Sequence, residues 1–415
     1  MLFIYRIAIN IILLISPLII IYRIIKKKED PKRFLEKFSI SNKKRNSGKL
    51  IWLHGSSVGE ILSVIPLIEK LEKKKDIKQI LLTSSTLSSS KVLANIKLKK
   101  TLHQFFPIDA NILVDKFLNY WKPSAAIFIE SEIWPNMILN LKKRNIKLIL
   151  LNARITKKSF RNWKRLNTFS KSLFNKFDVC LSQNDETKKF LKKLGAKNIR
   201  KIGNLKFSET NLKSLNSINK TKKKFLNSKK ILFGAVSTHR TEEIFCAKIH
   251  NDLKKKYKNG ITIIIPRHVH RANEIKNEIE KENLKVYLHS SNKKIDHKTD
   301  IYLVDTYGET TSFLNICDIV FLGGSLIKHG GQNPLEAARL GCRVIHGPNI
   351  NNFTEVYKLL NKIKISSKIT NLNNAKSKIL KSLNKKFDSS QNITKLNSIG
   401  KEVLFNNQKE IGKYI

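Results

Sequence analysis

From Lys49 onward, short unbroken apolar runs alternate with longer amphipathic stretches, and the whole alternation occurs twice. "KLIWLH", "QILLTSS", "AAIFIES", "KLILLNA", "DVCLSQ" and "IRKIG" have strand length. "ILSVIPLIEKLEKK", "ILVDKFLNYWK", "RNWKRLNTFSKSLFNKF" and "DETKKFLKKLG" lie between them as helices. A strand that is apolar at every position has both faces covered, as parallel strands do between two helical layers. A polar stretch at 208–230, rich in Asn, Ser and Lys, interrupts the rhythm and reads as a linker with a short helix. The rhythm then resumes with "ILFGAVS", "ITIIIPR", "KVYLHS", "IYLVDT", "IVFLGGS" and "RVIHGP". The expected fold is α/β, with two Rossmann-like doubly wound domains at 31–207 and 231–415. A helical tail closes the second from about Ser366. A chain of 415 residues is in any case too long for one ordinary core. Ligands of such sheets bind at the carboxyl ends of the strands, so the site is expected in a cleft between the domains.

Residues 1–30 obey a different rule. "MLFIYRIAINIILLISPLIIIYRIIKKKED" is apolar between Arg6 and Arg23 and then turns strongly basic at Lys26, Lys27 and Lys28. No small-residue cleavage site follows, which favours a retained membrane anchor over a removed signal peptide. The basic cluster would keep the rest of the chain cytoplasmic. A helix lying in the membrane interface is the alternative.

The formal net charge of +48 suits a nucleic acid, an anionic lipid surface or an acidic substrate. The lysines, however, run through the whole chain alongside Ile and Asn, with no RNA-recognition signature and no regular aromatic interleaving. Charge by itself therefore selects no partner, and a nucleic-acid-binding protein rests on it alone. The four cysteines, Cys180, Cys246, Cys317 and Cys342, have neither paired nor metal-ligand spacing and read as buried thiols in a reducing compartment. His54, His239, His268, His270 and His329 likewise lack zinc-ligand spacing, so no metal site is expected.

Gly55-Ser56-Ser57-Val58-Gly59 matches the G-x-S-x-G elbow of serine hydrolases. Its context excludes that chemistry, because the strand before it is the first of the domain and no oxyanion loop lies upstream. The same residues make a strand–turn–helix junction, with Ser56 or Ser57 as helix cap and Glu60 in the first helical turn at the sheet edge. "IFIESEIWPN" carries Glu130 and Glu132 out of another buried strand, just before a Trp-Pro helix start. "IGNLKF" brings Asn204 and Lys206 to the end of the first domain. In "FLGGSLIKHGGQNPLEAARLG" a buried strand runs into two glycine pairs and then a helix beginning at Asn333-Pro334. Free N–H groups there suit a phosphate, and Glu336 could accept ribose hydroxyls. Pro266-Arg267 and Gly308-Glu309 end two further strands, where the guanidinium could pair with phosphate.

Taken together, "IWLHGSSVGE", "ESEIWPN", "NARITKKSF", "SQNDETKKFLKKLGA", "GNLKF", "STHRTEE", "IIPRH", "DTYGE" and "GGSLIKHGGQNPLEAA" resemble, in order, the landmarks of 3-deoxy-D-manno-octulosonic acid (Kdo) transferases. The resemblance implies the GT-B architecture and transfer of Kdo from CMP-Kdo to the lipid A precursor (lipid IVA), with inversion, at the cytoplasmic face of the inner membrane. It makes Glu60 the proton acceptor and puts the transition-state stabilisers at Glu130 and Lys206. It assigns CMP contacts to Pro266, Arg267, Tyr307, Gly308, Glu309, Asn333, Pro334, Leu335 and Glu336. It implies no metal and no cofactor, an anionic membrane surface as partner, and no nucleic acid. His54-Gly55, Tyr307 and Gln332 depart from the family's usual residues without removing a charged group of the chemistry. A GT-B enzyme using a nucleotide-diphosphate sugar is the nearest enzymatic alternative.

Overall fold

The computed structural model describes residues 1–208, 218–384 and 389–415. The chain divides into two compact units, one comprising Met1–Thr210 with Ile399–Ile415 and the other Asn211–Ser398. In the first, strands β1 (Lys49–His54), β2 (Ile77–Ser84), β3 (Thr101–Phe105), β4 (Ala125–Ile129), β5 (Lys147–Ala153), β6 (Val179–Ser182) and β7 (Ile199–Lys201) form a parallel sheet in the order 3-2-1-4-5-6-7. The unbroken apolar runs have the reason expected of them. Along β1, Leu50 and Trp52 enter one core while Ile51 and Leu53 enter the other, and all four are fully buried. Successive side chains of a strand point to opposite faces, so a sheet covered on both sides needs apolar residues at each position.

Strands β8 (Lys230–Thr238), β9 (Gly260–Pro266), β10 (Val286–Leu288), β11 (Ile301–Leu303), β12 (Ile319–Leu322), β13 (Arg343–His346) and β14 (Ser366–Lys368) build the second parallel sheet, ordered 10-11-9-8-12-13-14. In the first unit the chain winds outward through β2 and β3 and then returns to the other side of β1; in the second it passes β9, reaches the edge at β10, fills the gap with β11 and then returns to the other side of β8. The reversal falls between β1 and β4 in the first unit and between β8 and β12 in the second.

The structure departs from the sequence pattern in four places. β3 and β14 carry no long apolar run, because both are edge strands whose residues are partly exposed. "RNWKRLNTFSKSLFNKF" is two helices, Lys157–Arg165 and Asn167–Phe174, broken at Leu166. Residues 209–217 of the expected linker lie outside the described residues, and its short helix is Lys220–Asn227 in the second unit. The tail was expected with the second domain, yet 399–415 belong to the first. There Val403 and Ile411 join the core around Leu205, and the Tyr414 hydroxyl accepts a hydrogen bond from Asn198 Nδ2 at 2.7 Å.

The N-terminal helix α1 (Leu2–Ile25) has a mean hydropathy of 2.3 over its most apolar window, enough by length and composition to cross a membrane.

Candidate active site

The reversal between β1 and β4 sets four charged residues and a histidine close together. β1 ends at His54, and after a two-serine turn helix α2 (Val58–Glu72) begins. Ser57 is its cap: the Ser57 hydroxyl accepts the Glu60 N–H at 3.4 Å, and Glu60 Oε2 accepts the Ser56 and Ser57 N–H groups at 2.6 and 3.2 Å. This reciprocal capping box fixes the Glu60 side chain at the mouth of the helix. Both bonds fall on Oε2, and Oε1 makes none among the described residues. Half-burial together with the like charges of Glu130 and Glu132 pushes the Glu60 carboxyl up to about 7, even though the backbone donors pull the other way. Ser57 is exposed, and its hydroxyl serves as the cap of α2 with no histidine bonded to it among the described residues, so it lacks the Ser–His pair of a hydrolase elbow.

Glu130 leaves β4 with a left-handed backbone, φ 56°, which a side chain bearing a Cβ rarely adopts. It is 5% exposed, and its Oε1 lies 2.7 Å from Lys206 Nζ. The turn that carries Lys206, Leu205–Ser208, is fastened by Asn152, whose Oδ1 accepts the Leu205 N–H at 3.0 Å. Glu132 is held differently. Burial would raise its pKa, but hydrogen bonds from His54 Nε2 (3.1 Å) and Trp134 Nε1 (2.8 Å) outweigh that and keep it below the usual carboxylate value. His54 is fully buried, stacked on Phe106 at 3.8 Å and bonded to Thr83 Oγ1 at 3.0 Å. Three carboxylates thus occupy three states at one sheet edge: Glu130 ion-paired, Glu132 hydrogen-bonded, and Glu60 with one oxygen open.

Gly59 stands in the first turn of α2. Its φ is not in the left-handed region, and no atom of the described residues lies within 4 Å of where a Cβ would stand. Nothing inside the unit demands a glycine there.

The second unit's reversal is built around Glu242, which sequence reasoning missed. Fully buried, it accepts N–H groups from His239 (3.0 Å), Gly324 (2.7 Å), Ser325 (3.1 Å) and Leu326 (3.0 Å), and so shapes the loop after β12. Its signal was available in "STHRTEE", an acid following the first strand of the second sheet as Glu60 follows the first strand of the first. At Gly323 a Cβ would stand 2.3 Å from the Ser237 carbonyl oxygen, so the loop passes β8 at a distance no side chain permits.

Around this loop the predicted nucleotide residues are distributed unevenly. Pro266 ends β9, and Arg267 beyond it is exposed with no side-chain partner among the described residues. His239, Arg240, His268, His270 and Arg271 line a cavity of about 520 Å³. The His239 and His329 rings are 4.4 Å apart, and burial, then repulsion by His329, lowers the His239 pKa. Tyr307 is 70% exposed and Gly308 has φ 88°. Glu309 turns inward instead: it is bonded to His289 Nε2 at 3.2 Å and by the Thr306 hydroxyl. The helix expected at Asn333-Pro334 begins at Leu335, with Pro334 at the cap position, and runs only to Arg339. Asn333 Oδ1 accepts the Leu335 N–H at 3.1 Å, and Glu336 Oε1 accepts from the Thr311 hydroxyl at 2.6 Å. So short a helix has a weak dipole, and the Asn333 side chain already takes one of its N–H groups.

Residues 32–209 match the family described as 3-Deoxy-D-manno-octulosonic-acid transferase (kdotransferase). A 3-deoxy-D-manno-octulosonic acid transferase of Rickettsia bellii (strain RML369-C) is 36% identical over 341 residues, covering 82% of this chain and 81% of that one. A probable mitochondrial 3-deoxy-D-manno-octulosonic acid transferase of Arabidopsis thaliana is 34% identical over 371 residues, covering 86% and 83%. Among solved structures, a putative UDP-N-acetylglucosamine 2-epimerase from Listeria monocytogenes is similar in fold, with a TM-score of 0.60 at 13% identity over 88% of this chain and 98% of that one.

Proposed function

The chain belongs to the Kdo transferase family and has the GT-B architecture of two parallel-sheet domains, and from that premise we propose that Glu60 is the general base of an inverting transfer from CMP-Kdo to the lipid A precursor (lipid IVA). The coarser statement, a glycosyltransferase that moves Kdo in lipopolysaccharide biosynthesis, follows from the family. The finer one is carried by a single observation: a carboxylate raised to about 7, with one oxygen locked by backbone donors and the other open.

A sugar hydroxyl is a poor nucleophile until its proton is taken, and a base is most effective when its pKa lies near the working pH. In this reading Glu60 Oε1 accepts the proton as the acceptor oxygen bonds to the anomeric carbon of Kdo. The bond from that carbon to the CMP phosphate oxygen breaks on the opposite face, and CMP leaves with the electron pair. Attack opposite to departure inverts the centre. Glu130 and Lys206 stabilise the transition state as a pre-formed pair 2.7 Å apart, which needs no rearrangement as charge shifts. The open position at Gly59 leaves room for the acceptor sugar beside the base.

CMP is assigned to the second unit, at Pro266, Arg267, Tyr307, Gly308, Glu309, Asn333, Pro334, Leu335 and Glu336. Support is strongest for Arg267, a guanidinium exposed and without a side-chain partner among the described residues, suited to the phosphate. For Glu309 the carboxylate is engaged internally, so the reading there rests on the backbone around Gly308. A monophosphate leaving group carries less charge than a diphosphate, and we expect neither metal nor cofactor to be required. The apolar α1 and the basic segment after it support a place on the anionic cytoplasmic face of the inner membrane.

The deciding experiment is to incubate the detergent-solubilised protein with lipid A precursor and freshly generated CMP-Kdo, then weigh the lipid. A mass gain of one or more Kdo units is expected. An unchanged lipid from a folded, CMP-binding protein would overturn the acceptor or the sugar, and competition by UDP rather than CMP would overturn the donor.

A further inference from the structure

Helix α1 is 24 residues long, which at about 1.5 Å per residue is roughly 36 Å and enough to cross a hydrocarbon core of about 30 Å. Its burial pattern contradicts a crossing. Leu2, Tyr5, Ile9, Leu13, Ser16 and Ile20 are buried or half-buried, while the positions on the other side are exposed. Steps of three and four put the protected residues on one face of the helix, and that face is covered from its first turn to its last. A membrane-crossing helix joined to a water-soluble domain at one end would be left bare by that domain along most of its length.

The polar contacts agree. At the N-terminal end the Tyr5 hydroxyl donates to Asp109 Oδ2 at 2.7 Å, and Arg6 Nε donates to Asn136 Oδ1 at 3.1 Å. Asp109 is itself buried and held by the Asn136 and Met137 N–H groups at 2.9 and 2.8 Å, so this is a fixed part of the first unit. At the C-terminal end Arg23 pairs with the buried Glu29 at 3.1 Å, and Glu29 also takes Lys37 at 2.6 Å. The turn carrying Lys37 is pinned to the sheet by Glu36, which accepts the Phe105 N–H at 2.8 Å. Both ends of α1 are therefore fastened to one unit, at Phe105 and at Asp109. A crossing helix would carry Tyr5 and Arg6 to the opposite side of the bilayer, out of reach of Asp109 and Asn136.

We infer that α1 does not span the membrane but lies in the plane of one leaflet, with its inner face packed on the first unit and its outer face sunk into an anionic bilayer. The occupant follows from the chemistry of the outer face. Phe3, Leu14, Leu18 and Ile25 are 71–80% exposed, and Ile21 is 54% exposed. Lys26, Lys27 and Lys28 follow at once, all exposed, where they would meet acidic headgroups. An apolar strip of this length flanked by cations matches a leaflet in both polarity and charge. The arrangement also has a consequence for the reaction, resting on the Kdo-transfer reading. Asp109 and Asn136 follow β3 and β4 at the same sheet edge as Glu60 and Glu130, so the first turn of α1 would set the headgroup layer beside the proposed base.

The test uses the full chain with one cysteine added ahead of Met1. The native cysteines are all buried in the folded protein and give little background. A membrane-impermeant maleimide is applied to intact spheroplasts and to inverted inner-membrane vesicles. Labelling in the inverted vesicles alone is the expected result. Labelling in intact spheroplasts overturns the inference and restores a crossing helix, while leaving the transferase reading intact. A protein found wholly in the soluble fraction overturns it too. The double variant Leu14→Lys, Leu18→Lys is expected to lose tenfold or more of its binding to phosphatidylglycerol-containing vesicles, with melting temperature and CMP affinity kept. Undiminished vesicle binding by a variant that has instead stopped dimerising would overturn the lipid as occupant in favour of a second copy.

Discussion

The two sheets reverse direction in the same way, and each puts an acid just after its innermost first strand, yet the two acids have opposite fates. Glu60, after β1, keeps an open oxygen and a pKa raised to about 7. Glu242, after β8, is fully buried and takes four backbone N–H groups. The difference comes from the strand across the reversal. Burial raises the Glu60 carboxyl first, and β4 then delivers two more carboxylates, Glu130 and Glu132, whose charges further oppose its ionisation. β12 delivers a glycine-rich loop whose amides satisfy Glu242. One topology thus yields a half-buried carboxylate with an open oxygen in one unit and a loop-shaping strut in the other, because a carboxylate's state is set by the groups that face it.

The comparison breaks outright if Glu60 is not the reactive acid. Glu60→Gln keeps the capping geometry and CMP binding but is expected to lose about 10²–10⁴-fold in transfer rate, the usual range for removing a general base. Ser57→Ala, in contrast, is expected to retain most activity and lose about 1 kcal/mol of stability as a lost cap. Equal inactivation of the two variants, measured by turnover, would return the question to Ser57.

Glu242→Ala probes the other half. It orphans several N–H donors at about 1–3 kcal/mol each, so a loss of at least about 3 kcal/mol is expected in thermal or denaturant unfolding, together with weakened CMP affinity. A variant that melts like the wild type would show that the loop holds its shape without the strut.

Two smaller effects sharpen the contrast. Gly59→Ala removes a helix-weakening glycine, so it should raise stability by up to about 1 kcal/mol. It is also expected to raise the acceptor KM or lower kcat several-fold, and full activity would mean that nothing approaches the helix there. The pH profile gives the finest test. A base at Glu60 would act when deprotonated, so kcat/KM should climb as pH rises through about 7 and then level off. Glu132→Gln deletes a repelling charge, favours the ionised form of Glu60 and should shift that rise to lower pH. A shift to higher pH would mean that the His54–Glu132 pair, not like-charge repulsion, governs the base.

Much of the fold is legible in the sequence. The central strands are apolar at every position because both faces of each sheet are covered, and periodicity alone reveals that. Glu60 and Glu130 could be singled out because each stands where a buried strand ends, whereas Lys206 came only with the family resemblance, since a lone lysine in so basic a chain carries little signal. The edge strands β3 and β14 escaped notice since partial exposure removes the apolar signal. Glu242 escaped for another reason: three of its four partners are backbone amides 82 to 84 residues away, and backbone amides carry no residue-type signature.

The sequence by itself determined the two-sheet α/β class, the apolar N-terminal helix and the family, because period, polarity and ordered motifs are local properties of a chain. Tertiary structure decided which acid is open and which is satisfied, that 399–415 return to the first unit, and that both ends of α1 are tied to one side of it. These depend on pairs of groups distant along the chain but a few ångströms apart in space. Burial and charge act over that separation, and no reading of neighbours along the chain supplies it.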